Sequence, residues 1–343
     1  MDTNGPFSND YDLYNDIVKT IFAELAPSAS CAILPGRRDD LPKLHKDIAA
    51  VSRVCRSWRQ DALAYRNLWA SIAIPDRCHP HLGTDKEPWW TWAGVLMQRS
   101  GKAPLFVCLD LKFVGEARHC QVIRDCLPRI KGLCIHGSGL FDSPILDVLK
   151  GTCAPQLETL SLDLTNADSR LVGCDFHPGE LFGNNAPQLK QLNVKPGIAV
   201  LSSVPALSRL TRFAVLHRGN ERIRTPTNQC YNLHDELRFM TSLEVLEITS
   251  DSWNKLDWEG RPKIRFRQLR EIVMKDSLHN CRQILAKTVV PAGCTAELVF
   301  HERDVDIDEL ARYWMRSMGI GCVVPETEVD ETEEGQVLRM RVY

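Results

Sequence analysis

Hydrophobic residues recur along most of this chain in one short pattern: a leucine or isoleucine, two residues, an aliphatic residue, one residue and a second aliphatic residue. The alternation at the end of the pattern is typical of a β-strand with one buried face. Full copies begin at residues 130, 157, 189, 243 and 269, and a weaker copy lies at 207–215. The first positions are separated by 27, 32, 18, 36 and 26 residues, and residues 296–300 are a further candidate.

Segments with helical periodicity precede several copies, at residues 121–126, 145–150, 233–239 and 278–287. A recurring unit of this kind indicates a solenoid, because each unit must bury its apolar face against the next. The sequence therefore predicts an α/β fold in which residues 105–343 form a solenoid. Its predicted C-terminal cap consists of a helix at 307–318, strands at 320–324 and 337–342, and an acidic loop at 326–334.

The first 104 residues show helical periodicity instead. Residues 1–10 are predicted to be disordered, and a helical module at 11–75 follows, with a polar insert at 28–42. One helix is predicted at 13–25, ending before a proline. Another is predicted at 51–69, where apolar residues at steps of three and four form one stripe. This stripe is either a core element or a docking surface. A connector at 76–104 holds three tryptophans, interpreted as packing residues, and a helical run at 93–99.

Composition narrows the class of protein. The chain has 343 residues, of which 44% are hydrophobic and 25% charged, as in ordinary soluble proteins. The formal net charge of -2 gives no reason to expect nucleic acid or an anionic membrane as a partner. No apolar run reaches the roughly 20 residues of a membrane span, and the N-terminal stretch does not resemble a signal peptide.

Thirteen cysteines occur without a single Cys-x-x-Cys pair. We interpret most of them as buried packing residues in a reducing compartment, the cytoplasm or the nucleus. Those in apolar segments are Cys108, Cys134, Cys153, Cys281 and Cys322.

Candidate chemistry is sparse. The sequence Cys78-His79-Pro80-His81 is the densest group of potential metal ligands, but a zinc site needs about four convergent ligands and no second group lies at a suitable spacing. No nucleophile elbow, phosphate-binding loop or dinucleotide-binding glycine motif is found. The basic cluster at 218–224 is short and mixed in sign. We therefore predict a protein that is not an enzyme, with no metal, no cofactor and no nucleic-acid or membrane partner.

The helical module resembles an F-box domain over residues 13–74. The resemblance rests on Leu13, Asp16-Ile17, Ile21-Phe22 and Leu25, and on Val51-Ser-Arg-Val-Cys-Arg-Ser-Trp-Arg59, Ala64, Leu68-Trp69 and Ile72. It departs from the family in having Leu13-Tyr14 where Leu-Pro is usual, and in the insert at 28–42. The recurring pattern resembles leucine-rich repeats in an irregular form, and this resemblance implies a parallel sheet on the concave side of the solenoid. The asparagine or cysteine that normally follows each strand is mostly missing, and Asn166 is the nearest candidate.

These resemblances imply the substrate-recognition subunit of a Skp–cullin–F-box ubiquitin ligase. The module would dock on the Skp-type adaptor and through it on a cullin–RING ligase, and the repeats would hold an unknown protein substrate. The candidate adaptor-binding residues are Leu13, Ile17, Ile21, Phe22, Leu25, Val51, Val54, Trp58, Leu68 and Trp69. The candidate substrate-binding residues, expected to be exposed on the concave face, are Ser161, Asp163, Asn193 and Glu247.

Two alternatives remain open. The first is an interaction scaffold outside any ligase, in which the helical module only caps the repeats. The second is a hydrolase or transferase on an α/β sheet, which would require a convergent polar pocket.

Overall fold

The computed structural model describes residues 8–25, 40–74, 87–110, 117–138, 144–165, 182–183, 185–194, 205–216, 233–249, 258–300, 328–332 and 335–341. Its helices are α1 (Ser8–Leu25), α2 (Asp40–Val51), α3 (Arg56–Ala64), α4 (Glu87–Ser100), α5 (Ala117–Cys126), α6 (Pro144–Gly151), α7 (Leu233–Leu237) and α8 (Leu278–Lys287). Its strands are β1 (Ser71–Ile74), β2 (Leu105–Asp110), β3 (Ile130–Ser138), β4 (Thr159–Thr165), β5 (Gln191–Val194), β6 (Arg212–Leu216), β7 (Val245–Thr249), β8 (Ile264–Arg265), β9 (Glu271–Lys275), β10 (Thr288–Val289), β11 (Thr295–Phe300), β12 (Glu328–Thr332) and β13 (Gly335–Arg341).

Eleven of these strands form one large, mostly parallel sheet. Its order is β1-β2-β3-β4-β5-β6-β7-β9-β11-β13-β12, so each strand of the sheet pairs with the next one along the chain until β13. All pairs from β1 to β11 are parallel, and β13 is antiparallel to both β11 and β12. The short strands β8 and β10 form a separate parallel pair. The predicted α/β class with a parallel sheet is therefore confirmed.

Register aligns the apolar residues of the recurring pattern, together with those of β1, β2 and β13, into two rows across the sheet. The first row contains Ile72, Val107, Leu133, Leu160, Leu192, Phe213, Leu246, Ile272 and Ala296. The second contains Leu109, Ile135, Leu162, Val194, Val215, Ile248, Met274, Leu298 and Leu338. All of these side chains are buried, because residues two apart on a strand share a face.

The helices supply the other half of this core. On α5 and α6, which pack against each other, the buried residues include Ile123 and Val148. Helix α8 adds Ile284 and Leu285. These side chains and both strand rows belong to one continuous apolar cluster, so the helices cover the aliphatic face of the sheet.

The N-terminal helices are joined to this sheet at β1. Strand β1 pairs with β2, although it lies inside the module predicted at 11–75, and α4 packs on β1 and on the 3₁₀ turn Arg66–Trp69. Arg129 fixes the end of α4, because its guanidinium donates to the Met97 carbonyl at 3.1 Å and to Ser100 Oγ at 3.2 Å. The connector predicted at 76–104 therefore contains a helix, longer than the predicted run at 93–99, that packs on the edge of the sheet.

The prediction of one helix over residues 51–69 is wrong. Helix α2 ends at Val51, and α3 starts again after Cys55, whose extended backbone (φ -156°, ψ 176°) places its sulfur to accept from the Trp58 amide at 3.5 Å. A 3₁₀ turn, Arg66–Trp69, then replaces the α-helix. Apolar spacing does not show the break. Residue type did not show it either, because cysteine is not among the usual N-cap residues.

The ends of the chain show two smaller differences. Helix α1 begins at Ser8, inside the stretch predicted to be disordered. Strand β12 occupies part of the predicted acidic loop and pairs with β13, since an edge strand needs few apolar residues. Strand β13 covers most of the strand predicted at 337–342. The helix predicted at 307–318, the strand predicted at 320–324, Asn166, Cys322 and the 78–81 cluster lie outside the described residues.

The two faces of the sheet should respond differently to truncation. Leu246 lies in the first aliphatic row between Phe213 and Ile272, so we expect Leu246→Ala to lower the free energy of unfolding by about 2–5 kcal/mol. The adjacent Val245 is half-buried on the opposite face, and Val245→Ala should cost about 1 kcal/mol or less. Thermal unfolding followed by circular dichroism compares the two, and equal shifts in melting temperature would contradict the assignment of faces.

Candidate interaction sites

An aromatic cluster forms the centre of the helical module. Phe22 of α1 is fully buried, and its ring meets that of Trp58 edge-on with centroids 6.1 Å apart. The Tyr65 ring lies 5.9 Å away on a tilted plane. Ile48 of α2 and Ala62 of α3 complete the buried contacts. Helices α2 and α3, with 12 and 9 residues, are too short to be stable alone, so this cluster holds them to α1.

Trp69 connects that cluster to the rest of the protein. Its indole Nε1 donates to the Ala62 carbonyl at 2.6 Å, and the guanidinium of Arg99 lies 4.4 Å from the ring centroid. The indole is fully buried, so its N–H needs this partner. Trp69 therefore joins α3 to α4, and through α4 to the edge of the sheet.

The predicted adaptor-binding residues divide into three groups. Phe22, Leu68 and Trp69 are buried within the chain, so their side chains are core residues. A second group is partly buried against that core: Ile21, Leu25, Val51 and Trp58. Only Ile17 and Val54 are strongly exposed, at 51% and 60%. The Leu13 side chain lies outside the described part of the chain.

Leu63 is an exposed apolar residue that the sequence interpretation missed. It is 40% exposed on α3, and it follows Arg56 and Arg59 at helical steps of seven and four, which places the three on one outer face. Ala62 and Trp58 face the module core instead. The helical steps from Arg56 and Arg59 would have placed Leu63 on the outer face if the start of α3 had been known. The prediction of a single helix over 51–69 gave no reason to expect Leu63 to be exposed.

The second face of the sheet changes character along its length. One row runs through Cys108, Cys134, Ser161, Asn193, Ala214, Glu247, Val273, Glu297 and Arg339. Its members are buried as far as Ala214, half-buried from Glu247 to Glu297, and exposed at Arg339. The accessible part of this face is therefore at β7, β9 and β11.

Two predicted substrate-binding residues are consequently not exposed. The relative exposure of Ser161 is 2% and that of Asn193 is 3%, whereas Glu247 is half-buried. Alternation along a strand shows which face a side chain occupies but not whether that face is covered, and this is why the expectation of exposure was wrong. Asp163 lies on the same face at register with His136, and its side chain is outside the described set.

We define the C-terminal sheet face by Val245, Glu247, Glu271, Val273 and Glu297. Glu247 accepts from Arg212 at 2.7 Å, and Glu297 accepts from Arg339 at 3.1 Å. The valines lie diagonally on β7 and β9, with a glutamate opposite each. Partly exposed ion pairs contribute little to stability. The face therefore offers apolar contact and carboxylates that can exchange partners without loss of the fold.

A buried polar group near α7 has its hydrogen bonds satisfied internally. The imidazole of His234 is fully buried, its Nε2 lies 2.8 Å from the Pro262 carbonyl, and its ring meets that of Trp258 edge-on at 5.2 Å. Asp235 pairs with Arg261 at 3.2 Å. A carbonyl only accepts hydrogen bonds, so Nε2 is the donor. The other ring nitrogen, Nδ1, lies 3.4 Å from Asp235 Oδ1, so both ring nitrogens face groups of the same chain and connect α7 to the turn around Pro262.

Within the described ranges, no three His, Cys, Asp or Glu side chains converge on a point where a metal could bind. Among the same residues, no helix combines the length and the apolar character needed to cross a bilayer.

The cysteines fall into two environments. Cys108, Cys134 and Cys281 are buried as predicted, whereas Cys153 is exposed, which corrects its assignment to the core. Burial raises the pKa of the Cys294 thiol to about 12, with a further contribution from the Glu271 carboxylate. Burial likewise raises the pKa of Cys120 and Cys126. Because the thiolate is the reactive form, these thiols act as packing residues.

The fold is thus a mostly parallel α/β sheet with helices over one face, and its accessible features are apolar and charged surfaces. No protein-family model and no curated protein matches the chain.

Native alkylation should separate the thiols. At pH 8 we expect iodoacetamide to modify the exposed Cys55 and Cys153, while Cys108, Cys134, Cys281 and Cys294 react only after denaturation. The unfolded Cys294 thiol ionises near its ordinary pKa of 9.0 and the folded one near 12. The stability that this thiol contributes is therefore complete below pH 9 and declines as the pH rises toward 12. Peptide mass spectrometry measures the labelling, and rapid native labelling of Cys294 would contradict its burial.

Proposed function

We propose that the sheet belongs to an irregular leucine-rich-repeat solenoid. The recurring sequence pattern coincides with β3, β4, β5, β6, β7, β9 and β11, and these strands follow one another in the sheet in chain order. Two aliphatic residues of each copy enter the two buried rows. A unit of this kind has no complete core alone, which is the property that defines a stacked repeat.

We propose further that the chain is the substrate-recognition subunit of a Skp–cullin–F-box ubiquitin ligase. The observation that carries this proposal is Val54, which is 60% exposed in the segment most similar to an F-box. The module already has its own core around Phe22 and Trp69, so Val54, Ile17 and Leu63 are left over for a partner. An apolar helical surface covered by a partner is a common recognition mode.

The target protein is proposed to bind on the C-terminal sheet face. Ser161 and Asn193 are inaccessible, so the part of the predicted concave site that can contact a target is the part around Glu247. A bound target would then be held near the ligase, and proximity is the whole contribution of the chain, without chemistry of its own.

The scaffold alternative has one observation in its favour. Strand β1 and α4 are part of the sheet edge, so residues 66–74 and 87–100 lie where a cap of the proposed repeats would lie. Capping by β1 and α4 does not require exposed apolar residues on α1 and α3, however. The two functions differ only in whether the adaptor binds.

Val54→Asp should weaken adaptor binding strongly without unfolding the protein. A buried hot-spot residue contributes about 2 kcal/mol or more to binding, so we expect the dissociation constant to rise at least about 30-fold. Binding of the purified full chain to a Skp-type adaptor is measured by calorimetry.

Phe239→Asp is the matched control, because Phe239 is 48% exposed but lies after α7, outside the helical module. It should bind the adaptor as well as the unmodified chain. Trp58 is unsuitable as a test, since its ring packs on Phe22. Full binding by the Val54→Asp variant would overturn the docking assignment, and absence of binding by the unmodified chain would favour the scaffold.

Glu271→Arg should remove the target and keep the adaptor. Glu271 is exposed on β9, so reversal of its charge should leave the fold intact while opposing a partner that fits a carboxylate. Affinity purification with quantitative mass spectrometry compares this variant with Glu259→Arg, an exposed control outside the C-terminal sheet face. Partners lost only from Glu271→Arg are targets. An unchanged set of partners would exclude this part of the face.

A further inference from the structure

The outer face of α3 is strongly basic. Arg56 and Arg59 are exposed there, and Arg53 is exposed in the turn before it. Lys46 of α2 is exposed as well, and the acidic residues between 46 and 65 are Asp47 and Asp61, both half-buried. The chain as a whole has a formal net charge of -2, so four basic residues against two acidic ones mark a local reversal.

These cations have no ion-pair partner within the described residues. The ion pairs there involve other groups, at Asp16, Glu158, Glu247, Asp235, Glu244 and Glu297. Arg53, Arg56 and Arg59 are exposed, so their guanidiniums face solvent.

The position of the arginines is also unfavourable for the helix itself. Arg56 is the first residue of α3, and the first turn contains no acidic residue. A helix N-terminus has a partial positive charge and is stabilised by carboxylates, so cations there are unfavourable. A local arrangement that opposes stability is expected where function requires it.

Exposed apolar and charged residues are close neighbours in this part of the chain. Val54 lies directly between Arg53 and the start of α3, and Leu63 follows Arg59 by one helical turn. We define the α3 outer face by Arg53, Val54, Arg56, Arg59 and Leu63. Its apolar residues would contact a partner directly, and its guanidiniums would surround that contact as a charged rim.

We propose that the surface that docks on the α3 outer face is acidic, and that guanidinium–carboxylate pairs with Arg56 and Arg59 surround the contact of Val54. This inference rests on the proposed docking of a Skp-type adaptor and adds the chemistry that the adaptor surface must have. Arginine suits such pairs because its planar fork binds a carboxylate through two hydrogen bonds. Rim charges act mainly on the association rate.

The test compares charge reversal with charge conservation in the full chain. We expect Arg56→Glu/Arg59→Glu to bind the purified adaptor at least about 10-fold more weakly, mainly through slower association. Arg56→Lys/Arg59→Lys keeps both charges and should retain the association rate, although each pair loses its second hydrogen bond. The matched control is Arg265→Glu/Arg267→Glu, two exposed arginines of the repeat region, which should bind as the unmodified chain does. Glutamate near a helix N-terminus is favourable, so the reversed variant is expected to fold.

Salt provides the second readout. Increasing NaCl should slow association of the unmodified chain with the adaptor, as measured by biolayer interferometry. This salt dependence of the association rate should be reduced or inverted in the charge-reversed variant. Equal association rates and equal salt dependence would overturn the inference while leaving docking through Val54 intact. If the charge-reversed variant loses binding to a labelled random duplex RNA that the unmodified chain binds, while its adaptor binding is unchanged, the inference is overturned in favour of a nucleic-acid surface. If the unmodified chain does not bind the adaptor, the proposed function fails together with the inference.

Discussion

The lateral stacking of aliphatic residues between neighbouring strands is the interaction on which the rest of this structure depends. Leu246, for example, has Phe213 on one side and Ile272 on the other, all fully buried. Two such residues per strand are too few to form a core alone, so each strand requires both neighbours. Register is fixed for the same reason, since a shift of one residue would move both rows to the opposite face.

The same constraint explains why the helical module and the sheet are continuous. Strand β2 would otherwise be an edge strand, with Val107 and Leu109 lacking the neighbour that β1 provides. Trp69 secures this junction, because its indole is bonded to α3 and covered by Arg99 of α4. A boundary at residue 75 or 104 would cut through one packed unit, so substitutions separate the functions of the two regions better than truncations do.

Much of this arrangement can be predicted from the periodicity of apolar residues in the sequence. Alternation at residues 130–135 or 243–248 identified strands, because a half-buried strand must place an apolar side chain at every second position. The break at Cys55 was not predictable from spacing, and neither was the burial of Ser161 and Asn193, since what covers a face is a property of the tertiary structure. Exposure of Val54 and burial of Trp69 likewise depend on which side of a short helix meets the aromatic cluster.

The order of the strands also sets the geometry of the proposed function. The helical module adjoins β1 and the C-terminal sheet face begins at β7, with six strand-to-strand steps between them. At about 4.8 Å per step, the sheet separates the two surfaces by roughly 29 Å along its width. Every step is held by backbone hydrogen bonds and a buried aliphatic pair. A target on the C-terminal sheet face would therefore be presented at a set distance from whatever docks on Val54, which a flexible linker between two domains could not provide.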